Sequence, residues 1–173
     1  MISEVTGVIG PFSTLSFFSI WYWILAVLVW TLVGLRTLGV PHDMLLRAER
    51  LPQVADRVDG LAGIAAERLD GLVAAIGPAV AALAGFGLAM LAGLGFVWRH
   101  ELALAAFALL LPLAVVGVGN VQLAVWVQRT GARGPELRRR LLRRRLWNQV
   151  IAALALVGIA VLAILHGPGR PLA

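Results

Sequence analysis

The stretch from Gln128 to Arg145 carries the densest set of side chains that could do chemistry. Eight arginines stand there against a single acid, Glu136. Guanidinium groups bind carboxylates and phosphates, so the stretch predicts docking to an acidic partner protein or to anionic lipid headgroups. Nucleic acid is not expected, because no aromatic residues interleave the run as they do in single-strand binders. The eight are Arg129, Arg133, Arg138, Arg139, Arg140, Arg143, Arg144 and Arg145.

Membrane insertion gives a second explanation of the same stretch. Apolar segments lie on both sides, from Leu102 to Val127 and from Val150 to Leu165. Short loops rich in arginine stay in the cytoplasm, so this loop would set the orientation of the whole chain. On a helix, its leucines and Trp147 would lie at the membrane interface while the arginines reach lipid phosphates. Eight arginines exceed what topology requires, which keeps the docking interpretation open.

Enzyme chemistry is not predicted. The chain has no cysteine and no lysine, which excludes disulfides, thiolate metal sites, cysteine nucleophiles and Schiff-base lysines. His42 is predicted on one side of the membrane and His100 and His166 on the other, so the three cannot form one haem or metal site. His100, Glu101 and His166 could meet at the outer face, where zinc would suit them, but no spacing motif supports this. We therefore expect no catalytic residue and no cofactor.

Asn120 and Gln122 are the best polar positions inside an apolar segment. No ionisable residue lies within a predicted span, although catalytic and transport sites in membranes normally need one. Amides at this depth usually form hydrogen bonds between helices, which is the simpler interpretation. The alternative is a ligand or ion pathway past the two amides and a kink at Pro112.

The composition is typical of a polytopic membrane protein. Hydrophobic residues make up 60% of the 173 residues, and the mean hydropathy is +0.89. Globular proteins are about 45–50% apolar. The net charge of +6 would suggest nucleic acid in a soluble protein, but here it is confined to two loops. The length predicts a single domain.

Four apolar segments are each long enough to cross a bilayer, with a short outer turn at Trp98–Glu101. The predicted spans are about 15–35, 72–97, 102–127 and 147–165. The predicted cytoplasmic loops are 36–71 and 128–146. This arrangement puts both termini in the periplasm and 13 of the 15 arginines in inner loops, an asymmetry that obeys the positive-inside rule.

The segment from Asp43 to Asp70 is predicted to be an amphipathic cytoplasmic helix. Gly39 and Pro41 end the first span, and Asp43 is the predicted N-cap of this helix. Pro52 suits the first helical position of a helix that runs straight into the second span. This helix is either a connector packed on its own bundle or a docking helix for a partner. Its predicted apolar stripe is Leu51, Val54, Val58, Leu61, Ala65, Leu69 and Leu72.

Small residues four positions apart line one face of the second span. Such a pattern lets another helix approach closely, either within the bundle or in a second protein, including a second copy of this chain. The predicted packing positions are Gly77, Ala81, Gly85, Ala89 and Gly93.

Three segments carry a resemblance to a known family: Ser13 to Trp23, the run Leu38 to Met44 (LGVPHDM) with the adjoining Arg47-Ala48, and the hairpin Leu94 to Ala103. Together they resemble small alphaproteobacterial four-helix membrane proteins commonly labelled "component of SufBCD complex", over roughly the first two-thirds of the chain. The resemblance implies four spans in an inner membrane. Iron–sulfur assembly needs thiolates, which this chain lacks, so the label implies only a tether that docks a soluble complex through the inner loops.

The sequence thus predicts an all-α polytopic membrane protein with four transmembrane helices, N-out and C-out, and an amphipathic cytoplasmic helix between the first two. The predicted role is a non-enzymatic accessory, assembly or scaffold subunit of a larger complex in the bacterial inner membrane. The rival is a small homo-oligomeric channel or transporter. A water-filled centre lined by the two amides would favour the rival, and a dry, tightly packed interior would count against it.

Overall fold

A computed structural model describes residues 20–165, and these are almost entirely helical. A two-stranded hairpin and a short π-helical turn, Gly93–Val97, are the other regular elements of this range. The helices are α1 Ile20–Leu35, α2 His42–Arg47, α3 Pro52–Ala92, α4 Glu101–Thr130 and α5 Gly134–Leu165. The strands are β1 Arg36–Thr37 and β2 Val40–Pro41.

Three helices are long and apolar enough to cross a membrane, namely Pro52–Val97, Glu101–Thr130 and Gly134–Leu165. The chain is therefore all-α and compatible with a multi-pass membrane protein. Helix α1 has 16 residues, about 24 Å at 1.5 Å per residue, which is less than the roughly 30 Å of a hydrocarbon core. Its predicted start, residues 15–19, lies outside the described residues, so the fourth span stays a prediction.

One end of the bundle holds the turn Trp98–His100, where the helical hairpin of α3 and α4 reverses direction. We call it the hairpin end, after this helical hairpin. The Tyr22 hydroxyl of α1 donates a hydrogen bond to the Ala105 carbonyl of α4, at 3.0 Å. Ala105 packs there with Ile159 from the last turns of α5. The first turns of α1 and α4 and the last turns of α5 therefore meet at this end, so successive long helices run in opposite directions.

The opposite end, the arginine end, is held by one apolar cluster, which we call the arginine-end cluster. Its residues come from the β-hairpin of β1 and β2, from α2, from the first turns of α3 and α5 and from the last turns of α4. Its members are Leu38, Val40, Leu45, Ala48, Val58, Ala62, Ala66, Leu123, Ala124, Val127, Leu137 and Leu141. The two predicted cytoplasmic loops thus lie together at one end of the bundle.

A tight hairpin comes directly after α1, where the sequence predicted only a break. Strands β1 and β2 pair antiparallel, and both residues of their turn have positive φ, 50° at Leu38 and 74° at Gly39. Positive φ at both positions is the type I′ geometry that suits two-residue hairpins. Leu38 enters the arginine-end cluster, and a Cβ at Gly39 would lie 3.1 Å from the Ala65 Cβ. Only glycine satisfies both the conformation and the close approach without strain.

The predicted N-cap at Asp43 is wrong. Helix α2 begins at His42, and its N-cap is Pro41, which makes no side-chain capping bond. Asp43 lies in the first turn instead. Its carboxylate still has a favourable position there, because the N-terminus of a helix attracts negative charge.

Helix α3 begins at Pro52 and runs without interruption through Pro78 to Ala92, as the sequence predicted for its start and its continuity. Of the predicted stripe, Val58 is fully buried and Val54, Ala65 and Leu69 pack against the arginine-end cluster. Its other three members, Leu51, Leu61 and Leu72, are 53%, 40% and 55% exposed. Ala62 and Ala66, which were not predicted, are fully buried on the same face. Small side chains let α3 lie close to its neighbours, so the first turns of α3 form a connector packed on its own bundle.

Candidate functional site

Most of the arginine-rich stretch is helical. Helix α4 ends at Thr130, and Gly131, with φ 58°, donates its N–H to the Val127 carbonyl at 2.9 Å. Only residues 131–133 separate α4 from α5, which begins at Gly134 rather than near Trp147. Leu137 and Leu141, four residues apart, bury one side of this helix in the arginine-end cluster. Six of the eight arginines therefore project from this packed helix, while Arg129 lies in the last turn of α4 and Arg133 in the turn between the helices.

Three polar contacts fix the arginine-rich stretch, from the end of α4 to the start of α5, against the rest of the chain. The Asp59 carboxylate of α3 accepts a hydrogen bond from the Gly134 N–H at 2.7 Å, where it also faces the positive end of the helix dipole. Gln128 donates its side-chain amide to the Gly63 carbonyl at 3.3 Å. Arg138 donates to the Ala48 carbonyl at 2.7 Å. One arginine of the predicted docking set thus has a structural partner.

The eight arginines fall into two groups by exposure. The half-buried ones are Arg138, Arg144 and Arg145. The exposed ones are Arg129, Arg133, Arg139, Arg140 and Arg143. The exposed group is available to bind carboxylates or phosphates from outside the chain.

Arg144 reaches across to α4 and lies against Gly119. Its Nη2 donates to the Val116 carbonyl at 2.9 Å, and its Nε donates to the Asn120 side-chain oxygen at 3.4 Å. A Cβ at Gly119 would overlap the Arg144 guanidinium. Glycine at this position therefore makes the space that the guanidinium occupies.

An open cleft of about 170 Å³ lies beside this contact, between α4 and α5; we call it the arginine cleft. Its lining is Gly119, Gln122, Leu123, Trp126, Arg140, Arg143, Arg144 and Trp147. The Arg140 guanidinium carbon lies 4.1 Å from the centre of the Trp126 ring, a cation–π contact that orients Arg140. Three cations and no acid line the cleft, so it can attract an anion. Its lining contains no nucleophile and no general base.

A second, larger groove of about 580 Å³ lies between α3 and the turn from α4 to α5. Asp56, Asp59 and Glu67 line it, together with Arg133. Its charge is therefore mixed and mainly acidic, in contrast to that of the arginine cleft.

The two amides of α4 have different surroundings. Asn120 bonds to Arg144 of the neighbouring helix. Gln122 is exposed at the wall of the arginine cleft. The partner of Asn120 is a charged side chain from the predicted docking stretch, which the sequence analysis did not anticipate.

Asn148 on α5 is a buried polar residue that the sequence analysis did not single out. Its side chain is 2% exposed, and neither its oxygen nor its nitrogen has a hydrogen-bond partner among residues 20–165. We expect Asn148→Leu to raise the free energy of unfolding by about 1–3 kcal/mol, because it removes the desolvation cost of an unpaired amide. Reversible unfolding of the purified chain in a mixed detergent series measures this.

Gln149→Leu is the matched control for that substitution. Gln149 is the next residue and is exposed, so the same change should alter stability by less than about 0.5 kcal/mol. A loss of stability in Asn148→Leu would mean that the amide has a partner, and the expectation would be wrong.

The small-residue face of α3 has few neighbours within the described chain. Ala81, Gly85 and Ala89 are exposed, and a Cβ at Gly85 would have no atom within 4 Å. Gly77 and Gly93 are half-buried, the nearest atoms to an added Cβ belonging to Val73 and Trp98 of the adjoining turns. Close packing on this face stays a prediction, and at Gly85 it would need a neighbour from outside the described residues.

The histidines do not meet. His42 begins α2 at the arginine end, and His100 lies at the hairpin end. His166, which the zinc alternative needs, lies outside the described residues. Between residues 20 and 165, no three histidine or acidic side chains are placed to hold one metal ion.

The arginine cleft could be predicted only in part. Its arginines stand out in the sequence, and Trp147 was expected at an interface. Gly119 and Trp126 carry no signal of their own, because their roles depend on which turn of α4 faces Arg140 and Arg144. Comparison of the chain with family models, curated proteins and solved structures found no match.

Proposed function

We propose that this chain is a non-enzymatic accessory, assembly or scaffold subunit of a larger complex in the bacterial inner membrane. In this proposal four helices span the membrane, with both termini in the periplasm and the arginine end in the cytoplasm. The arginine end docks an acidic surface of another membrane or membrane-associated protein. The arginines bind this surface, and the helices anchor it to the bilayer.

Five exposed arginines at one firmly held end of the bundle, three of them on α5, are the observation that carries the proposal. Helix α5 is 32 residues long, about 48 Å at 1.5 Å per residue, so its first turns extend beyond a hydrocarbon core of roughly 30 Å. Leu137, Leu141 and the Asp59–Gly134 bond hold those turns against the rest of the chain. A docking surface that is already ordered loses little conformational entropy on binding.

The resemblance to the family labelled "component of SufBCD complex" suggests one kind of partner, a soluble complex of iron–sulfur assembly. A chain without cysteine would serve such a complex only as its membrane tether. No specific observation favours the rival channel or transporter, because Asn120 is engaged by Arg144 and Gln122 lines the open arginine cleft.

Native co-purification in mild detergent tests the proposal. We expect a stoichiometric companion at low salt that dissociates at high salt, because exposed ion pairs are screened. Arg129→Gln, Arg133→Gln and Arg139→Gln together should reduce its retention about tenfold, since each exposed ion pair contributes up to about 1 kcal/mol. These three positions are exposed and lie outside the arginine cleft.

The matched control removes three other exposed arginines from the same end, by Arg47→Gln, Arg57→Gln and Arg68→Gln. Acids alternate with these arginines in the sequence, so the companion should stay bound. If both variants lost the companion equally, its retention would depend on net charge and not on the position of the arginines. Purification of the natural chain without any companion at low salt would refute the docking proposal.

A further inference from the structure

We propose that the arginine cleft is a binding site for the phosphate of one anionic phospholipid. The inference deepens the proposed function and rests on it in one respect, namely that the arginine end meets the inner leaflet. The juxtaposition that carries it is Arg140, Arg143 and Arg144 around one small cleft between two tryptophans, Trp126 and Trp147.

The size and charge of the arginine cleft suit a phosphate group. Its volume of about 170 Å³ is below the roughly 300–1,000 Å³ of pockets that enclose whole small molecules. Guanidinium groups match phosphate oxygens with paired, charge-assisted hydrogen bonds. The cleft has no acidic side chain to compete for them.

Two of the three arginines are already oriented. Arg140 stacks on Trp126, and Arg144 is held by the Val116 carbonyl and by Asn120. The two bonds of Arg144 use only part of its set of N–H donors, so the remainder can serve an anion. Fixed side chains lose little rotamer entropy when a ligand arrives, which favours one defined site over diffuse attraction.

The surroundings of the arginine cleft favour a lipid over a free anion. Trp147, 57% exposed, is the kind of residue that lies at the level of lipid headgroups. The same faces of α4 and α5 continue as exposed apolar surface, with Val118 at 58% and Leu154 at 67%. A bound headgroup would therefore have apolar surface beside it for its acyl chains, which a free phosphate does not need.

Native mass spectrometry of the full chain in detergent tests the inference, because it counts bound lipids one by one. The probes are dioleoyl phosphatidylglycerol, dioleoyl phosphatidylcholine, which has the same chains and no net charge, and inorganic phosphate. We expect the first phosphatidylglycerol to bind more tightly than any further one. Arg140→Gln with Arg143→Gln should weaken this first binding about thirtyfold, the expected contribution of two arginines beside anionic lipid.

Two control comparisons separate a built site from general attraction. Arg129→Gln with Arg133→Gln removes the same charge outside the arginine cleft and should weaken binding less than about threefold. Gly119→Ala keeps the charge but displaces the Arg144 guanidinium, and should weaken binding about fivefold. Gly117→Ala on the same helix, where an added Cβ has no atom within 4 Å, should leave binding unchanged.

Four outcomes would overturn the inference. The first two are an equal loss of phosphatidylglycerol affinity in the two double variants, and phosphatidylcholine binding as tightly as phosphatidylglycerol. The other two are inorganic phosphate binding as tightly as phosphatidylglycerol, and unchanged phosphatidylglycerol binding in Gly119→Ala. Circular dichroism of each variant confirms that helix content is kept. The two proposals fail separately, because the co-purification variant leaves the arginine cleft intact and the cleft variants leave Arg129, Arg133 and Arg139 in place.

Discussion

We expect a maleimide that cannot cross membranes to label His100→Cys in intact spheroplasts and to leave Glu49→Cys unlabelled until the membrane is opened. Both residues are exposed, and they lie at opposite ends of the bundle, His100 at the hairpin end and Glu49 at the arginine end. Translocating the arginines of α5 is costly, so the arginine end should stay in the cytoplasm and the hairpin end should face the periplasm. The expected effect is therefore all or none.

The natural chain is well suited to this measurement. It contains no cysteine, so each variant carries one thiol and the unsubstituted chain is the blank. Labelling of Glu49→Cys from outside together with protection of His100→Cys would mean the reverse orientation. Such an outcome would place the arginine end outside the cytoplasm. The docking proposal and the lipid inference both assume a cytoplasmic arginine end, so both would be wrong.

The sequence predicted most of the features that depend on local chemistry. Pro52 lacks an N–H that a first helical residue would leave unbonded anyway, and α3 begins there. Gly39 and Pro41 correctly mark the end of α1, because neither continues a helix well. Long apolar runs predicted the helices that could cross a membrane, since such runs are seldom anything else.

The parts that the sequence did not predict depend on contacts between elements. Leu38 adopts a positive φ in the two-residue turn while its side chain enters the arginine-end cluster, and a leucine gives no sequence signal for this conformation. The Arg144–Gly119 contact depends on how α4 and α5 cross. In the amphipathic part of α3, the predicted stripe is wrong only at Leu51, Leu61 and Leu72, and it missed Ala62 and Ala66, which are buried by close approach.

The interior bears on the choice between a scaffold and a channel. The middle of the bundle packs Ala26 and Trp30 of α1 against Leu109 and Val116 of α4, with Ile151 of α5 beside them. These contacts are apolar. A pathway within one chain would need polar groups in this region, so a channel of the homo-oligomeric kind would have to run between copies of the chain.

The stability of the arginine end should depend strongly on Leu141. Its side chain is fully buried in the arginine-end cluster. We expect Leu141→Ala to lower the local free energy of unfolding by about 3 kcal/mol, because it combines lost burial with a cavity that the surrounding helices fill only in part. Hydrogen exchange measures this directly, and the backbone amides of Val58 and Ala62, which pack in the same cluster, should lose protection by roughly a hundredfold.

Leu146→Ala is the control, since it removes the same atoms from the same helix at a side chain that is 61% exposed. It should change exchange at Val58 by less than about threefold. If the cluster is what holds the arginine helix, Leu141→Ala should also weaken retention of the co-purified companion although no charge has changed, because a mobile helix loses more entropy on binding. Unchanged exchange in Leu141→Ala, or equal loss in both variants, would mean that contacts other than the arginine-end cluster position the arginines.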